Sequence, residues 1–208
     1  MNNFCIDLSI SINPLSVDVN TLPKLNYNKL DQKKYINPEL IDFFKSMSLE
    51  IEHVATFFTP KNFQFSKIHI DNSGYKYSTY PNNQAKINWI YGGKDSLMNW
   101  YKLKSDAKLL QRPILGFKQQ DSYIDCNKED VDLIHSQAVN FPSIVHVGIP
   151  HNITNYNEPR LCLTMVIKDI YSNTRLSFDQ LAGVFYNYIG PSGESRTHIG
   201  QLSVAHGI

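Results

Sequence analysis

Apolar positions in this chain come mostly in short bursts of about six residues, bounded by Gly, Pro, Asn or Asp. Ile51, Val54, Phe57 and Phe58 open the series, and Phe63, Phe65, Ile68 and Ile70 follow beyond Pro60. Further bursts lie at Lys86–Tyr91, Leu97–Leu103, Ser122–Cys126, Val131–Ala138, Ser143–Ile149 and Leu161–Ile167. Evenly spread short strands with turn residues between them predict a mainly β protein, a sandwich or a barrel. Helical spacing is clear in two places. Asn37 is placed to cap, Pro38 suits the first helical position, and Leu40, Ile41, Phe43, Phe44 and Met47 recur on one side, predicting a helix over 38–48. Ser177 begins a second, over 177–188, with Leu181, Val184, Phe185 and Tyr188 as its apolar face.

The ends of the chain are less regular. A strand is expected at Cys5–Ile12, followed by an irregular segment holding Pro14 and Pro23. Residues 190–208 contain four glycines and no helical period, which reads as a loose extension or a docking arm. An arm of that length is able to reach a neighbouring subunit, so a homo-oligomer stays an open expectation. The organisation expected is one domain over 1–208: a strand-rich core at about 50–168, an N-terminal extension, and a C-terminal helix and tail.

Composition narrows the function. The 208 residues carry 20 Lys+Arg against 19 Asp+Glu, a formal charge of +1. So even a balance argues against a general nucleic-acid binder and against a polybasic membrane-surface protein. Cys5, Cys126 and Cys162 form no C-x-x-C pair, which excludes a zinc ribbon and a thioredoxin-type site and suits a reducing compartment. The first sixteen residues lack a basic stretch before an apolar run and lack a small-residue cleavage site. The expectation is a soluble, cytoplasmic protein with no membrane partner.

Two segments offer chemistry. In FSKIHIDNSG, His69 and Asp71 are two residues apart, so on a strand they project from one face, next to a turn. In PSIVHVGIPHNITNYNEPRLCLTMVI, His151 lies beyond a β-like run and Arg160 opens the next. Two imidazoles and a carboxylate on one face of an ion make the facial triad of non-haem Fe(II) oxygenases. A lone His-x-Asp arises by chance about 0.4 times in such a chain, so its weight comes from the combination. His146 is a rival to His151, but its flanking Val145 and Val147 suggest that it points away from the core. Leu161, Leu163 and Met165 share one strand face, which leaves Arg160, Cys162 and Thr164 on the other, where they are able to line an interior.

Taken together, His69 and Asp71, then Pro150-His151-Asn152-Ile153-Thr154-Asn155, then Arg160, resemble the Fe(II)- and 2-oxoglutarate-dependent oxygenases, most closely the prolyl-4-hydroxylase-like members. The resemblance covers about residues 50–168. It implies a double-stranded β-helix (jelly roll) with flanking helices. It implies iron held by His69, Asp71 and His151, and 2-oxoglutarate chelated to that iron with its 5-carboxylate on Arg160. It further implies O2 as oxidant, succinate and CO2 as products, and hydroxylation of a small-molecule or peptide substrate. Many members carry Ser two residues after the Arg; here that place is Cys162, and Thr164 is the next hydroxyl on the same face. Asn88 stands where members often have Tyr on the strand after His-x-Asp. The halogenating relatives have a small residue where this chain has Asp71.

Two other readings remain open. One is a cupin-like metal protein with the same ligands and no keto acid; the other is a non-enzymatic jelly-roll module for binding or for a virion. His53, His135, His198 and His206 have no partner at ligand spacing and read as structural or exposed. Trp89, Trp100, Tyr91 and Tyr101 read as packing, and Gly92-Gly93 as a hairpin turn. The basic stretch Lys102–Lys118 reads as a solvated loop, with a lid over an anionic substrate as the alternative. Residues 1–49, 103–130 and the tail are the expected specificity elements.

Overall fold

A computed structural model describes residues 3–63, 67–73, 83–113 and 121–190. The strands are β1 (Cys5–Asp7), β2 (Asn28–Lys29), β3 (Leu49–Thr59), β4 (Ile68–Ser73), β5 (Ala85–Gly92) and β6 (Leu97–Leu103). They continue with β7 (Leu109–Pro113), β8 (Asp121–Cys126), β9 (Val131–Ala138), β10 (Ser143–His146), β11 (His151–Thr154) and β12 (Arg160–Asp169). The helices are α1 (Gln32–Tyr35), α2 (Pro38–Ser46) and α3 (Phe178–Val184). Two six-stranded antiparallel sheets result, in the orders β1-β10-β5-β12-β3-β2 and β7-β8-β4-β11-β6-β9.

The pairing is nested. β3 pairs with β12, β4 with β11, β5 with β10, and β6 with β9. Successive strands from β3 to β6 alternate between the sheets, and β9 to β12 retrace them in reverse. This brings β4 and β11, some eighty residues apart in sequence, side by side.

β12 shows how one strand serves two environments. Leu161, Leu163 and Met165 join the largest core cluster with Leu40 and Phe44 of α2 and with Leu181 and Phe185 at α3. Arg160, Cys162 and Thr164 point to the opposite face, as alternation requires. The N-terminal extension is part of that same core through Leu15, Leu22, Leu30 and Ile36. Trp100, fully buried, centres a second cluster with Met98 and Val145, and Trp89 joins the first.

Several expectations need correction. The strand at Cys5–Ile12 stops at Asp7, because the Ser9 N–H turns to the carbonyl of Tyr188. The strand at Ser143–Ile149 stops at His146; the N–H groups of Val147 and Gly148 turn to the carbonyl of Gln84. The first helix ends at Ser46 rather than 48, and Ser48 takes a positive φ of 62°. The second splits into α3, with a capping box between Ser177 and Gln180, and a short 3-10 turn at Tyr186–Tyr188. Val184, assigned to its apolar face, is exposed, while Phe178 is buried in its stead. Within the basic stretch Lys102–Lys118, Leu109–Pro113 is a strand paired to β8 rather than a loop. Phe65, Lys118, His198, His206 and the tail beyond Gly190 lie outside the described residues.

Candidate metal centre

β4 brings His69 and Asp71 to one face while Ile68 and Ile70 pack on the other. His151, the first residue of β11, is paired directly across from His69. The ring centroids of the two histidines are 4.5 Å apart. His69 Nε2 lies 3.7 Å from Asp71 Oδ1. One potential ligand atom from each of the three residues falls within 4.8 Å of the other two. Among the described residues this is the single His/Cys/Asp/Glu cluster of that kind. His146 lies elsewhere, stacked on Phe178 with Nδ1 facing the carbonyl of Asn3.

Both imidazoles are oriented in the same way. His69 Nδ1 sits 2.8 Å from the carbonyl of Lys67, and His151 Nδ1 sits 2.9 Å from that of Ile149. A carbonyl only accepts, so Nδ1 carries a proton in each ring and Nε2 is the nitrogen left for the site. This is how ligating histidines are commonly held. Burial, reinforced by the neighbouring His69, pushes His151 down to about 3 despite the opposing carboxylate. It is therefore a neutral donor at neutral pH. Burial alone would push Asp71 up, but Lys86, His151 and His69 outweigh it and hold the carboxyl below its ordinary value. Two imidazole nitrogens and one anionic oxygen suit a divalent transition ion, and three protein ligands leave positions open for others.

The triad opens into a cavity of about 340 Å³. Arg160, Cys162 and Thr164 of β12 line it, as does Asn88, which pairs with Thr164 across the β5–β12 ladder. Arg160 is only 3% exposed, yet its Nε has no hydrogen-bond partner among the described residues. The same holds for Asn88 Oδ1 and Thr164 Oγ1. Buried polar atoms are rarely left so, and their convergence on one cavity marks a place built for a polar ligand. Asp71 is the one acid among the described residues of the lining, against Lys67, Lys86 and Arg160. Burial disfavours the charged guanidinium and pulls Arg160 below its usual value, so an anion beside it would relieve that cost.

The loop before β12 places the guanidinium. Asn155, which ends the Pro-His segment, donates from Nδ2 to the carbonyls of Pro60 (2.9 Å) and Glu158 (2.7 Å). The Gly93 N–H bonds the carbonyl of Pro159 at 3.0 Å. Gly92-Gly93 is more than the expected turn. Both have positive φ, and a Cβ on Gly93 would come within 2.6 Å of Arg160 Cβ and Cγ. Only glycine lets the arginine stem lie along this turn.

Sequence reasoning missed two contributors. Lys86 forms an ion pair with Asp71 Oδ2 at 2.5 Å; its signal was a lysine on the same strand face as Asn88. Tyr123 sets its ring edge-on to His69 at 4.9 Å, which only the β4–β8 pairing reveals. Asn26 and Tyr123 come from the stretches expected to carry specificity, and both line the cavity. His53 and His135 are engaged elsewhere, by Tyr27 and Gln137. No helix among the described residues is long and apolar enough to cross a membrane. No family model matches the chain, and neither does any curated protein.

Proposed function

We propose that the protein is a non-haem Fe(II)- and 2-oxoglutarate-dependent oxygenase, a hydroxylase built on a double-stranded β-helix. The nested pairing of β3 to β6 with β9 to β12 supports the fold, since a long hairpin rolled in this way is a jelly roll. One observation carries the activity: a His–Asp–His cluster and a buried arginine with an unsatisfied Nε share one cavity. The balanced reaction is substrate C–H plus O2 plus 2-oxoglutarate to substrate C–OH plus succinate plus CO2.

In this reading His69, Asp71 and His151 hold the ion, their donor atoms set before it arrives by the two backbone carbonyls and by Lys86. Arg160 grips the 5-carboxylate of the keto acid with its planar fork. The hydroxyl of Thr164 and the amide of Asn88 add hydrogen bonds in place of the serine that relatives carry. Phe57, Phe58, Met98 and Ile153 form apolar walls that exclude water. The bound iron and keto acid supply the oxidising chemistry; the chain supplies binding, orientation and a dry cavity.

The test is release of labelled CO2 from 1-labelled 2-oxoglutarate with Fe(II) and ascorbate, across a broad substrate panel. Wild type should release it and His69→Ala should not. Absence of release from wild type under every condition would sink the proposal. Calorimetry separates this reading from a metal protein that uses the same ligands alone. Binding of 2-oxoglutarate should need both the ion and Arg160, and Arg160→Ala should abolish it.

A further inference from the structure

The cavity carries cations of two kinds. Arg160 stands where β12 begins and is 3% exposed. Lys67 comes just before β4, and its side chain is 75% exposed. Both line the cavity. In the reading above Arg160 is taken by the keto acid, and Lys86 is engaged with Asp71. Lys67 has no task there. The Asp125 carboxylate lies 3.9 Å from its ammonium, at the outer limit of an ion pair. An exposed pair of that length stabilises little, and an ammonium has three donors. Lys67 is therefore able to hold a second anion.

Aromatic rings line the cavity with it. Phe63 lines the cavity and yet is 37% exposed, which puts it at the mouth. Tyr123 lines it too, edge-on to the His69 ring at 4.9 Å. Backbone contacts fix these positions. The Phe63 carbonyl accepts from the Asn155 N–H at 2.9 Å, and the Asn62 N–H donates to the carbonyl of Tyr156 at 3.1 Å. Asn62 takes a positive φ of 60° in this turn. The Lys67 carbonyl accepts from His69 Nδ1 at 2.8 Å. A large apolar ring held partly in water costs free energy that a flat ligand laid against it would return.

We propose that the substrate is a small aromatic acid, its carboxylate on Lys67 and its ring against Phe63 and Tyr123. This rests on the oxygenase reading above and adds the class of substrate to it. A cationic substrate would meet Lys67 and Lys86, and a neutral one would leave Lys67 without use. Aromatic pairs gain more than their buried area alone, so a flat ring is preferred to an aliphatic body of the same size. Because Lys67 and Arg160 are separate, the acid and the keto acid bind together.

The experiment is calorimetry on the full chain loaded with Co(II) and saturated with 2-oxoglutarate. The probes are phenylacetate, its neutral amide phenylacetamide, and cyclohexylacetate, which keeps the charge and loses the flat ring. Phenylacetate should bind about fivefold tighter than the amide and about threefold tighter than cyclohexylacetate. Lys67→Gln should abolish the first preference, and Lys67→Arg should keep it. Phe63→Leu should remove most of the second. All three variants should bind 2-oxoglutarate as wild type does, which a collapsed site would not. Equal binding of phenylacetate and either comparison probe by wild type overturns the proposal. So does a preference for the acid that persists in Lys67→Gln, because the anion would then sit elsewhere. The same titrations without ion and keto acid keep the two readings apart. If 2-oxoglutarate does not bind, the oxygenase reading falls, while a Lys67-dependent preference for the acid still upholds the acid site.

Discussion

The two faces of β12 are built by opposite rules. On one, Leu161, Leu163, Met165 and Ile167 are buried against the helices and the N-terminal extension, with no polar group among them. On the other, Arg160, Cys162 and Thr164 are equally buried, yet Arg160 Nε and Thr164 Oγ1 have no partner among the described residues. Burying the first face drives folding. Burying the second costs free energy that its own contacts do not return. The contrast separates the part of the strand that serves stability from the part that serves a ligand.

The comparison breaks most visibly on the apolar side. Leu163→Ala empties a fully buried position and should cost about 3 kcal/mol, near 10 °C in melting temperature. Affinity for Co(II) and for 2-oxoglutarate should stay close to wild type in the folded fraction. A stability loss under about 1 kcal/mol would mean the face is not the tight core described.

Acid should act instead on the cavity side. Unfolded, His151 takes a proton near 6.5, whereas in the fold it resists down to about 3. The unfolded chain thus binds more protons between those values, and stability falls as pH drops through that window. Asp71, held below its ordinary value, acts in the same direction: its contribution is present above the unfolded carboxyl range and lost as pH falls through its folded one. Unfolding scans in chelator from pH 7 downward should show this slope, and His151→Gln should flatten it. An unchanged slope in that variant would show that His151 is not held neutral.

The smallest stability effect sharpens the contrast. Arg160→Met replaces a buried charge with a side chain of similar length, and should change stability by less than about 1 kcal/mol or raise it. The same change should abolish binding of 2-oxoglutarate. A large destabilisation would mean that Arg160 belongs to the scaffold instead.

Much of the β pattern was legible. The burst Leu97–Leu103 is β6 and Val131–Ala138 is β9, residue for residue, because Gly93-Lys94-Asp95 and the Asn127 turn bound them sharply. Asn37 and Ser177 start helices as their capping chemistry demands. Strand ends were less legible where a backbone N–H left the ladder for a distant carbonyl, as at Ser9 and Val147. Val184 was misassigned because α3 stops there and the chain tightens into a 3-10 turn, which ends the helical period that the apolar face assumed.

At the site, local spacing determined a good deal by itself. His69 and Asp71 share a face because a strand has period two, and Arg160, Cys162 and Thr164 do so for the same reason. Spacing in sequence was silent on everything that depends on pairing between distant strands. Only the tertiary structure decided that His151 stands opposite His69, that Lys86 reaches Asp71, and that a glycine at 93 makes room for Arg160. Periodicity is a property of one segment and is written in order along the chain. Register between strands is set by how whole sheets bury their apolar faces, and no single segment contains it.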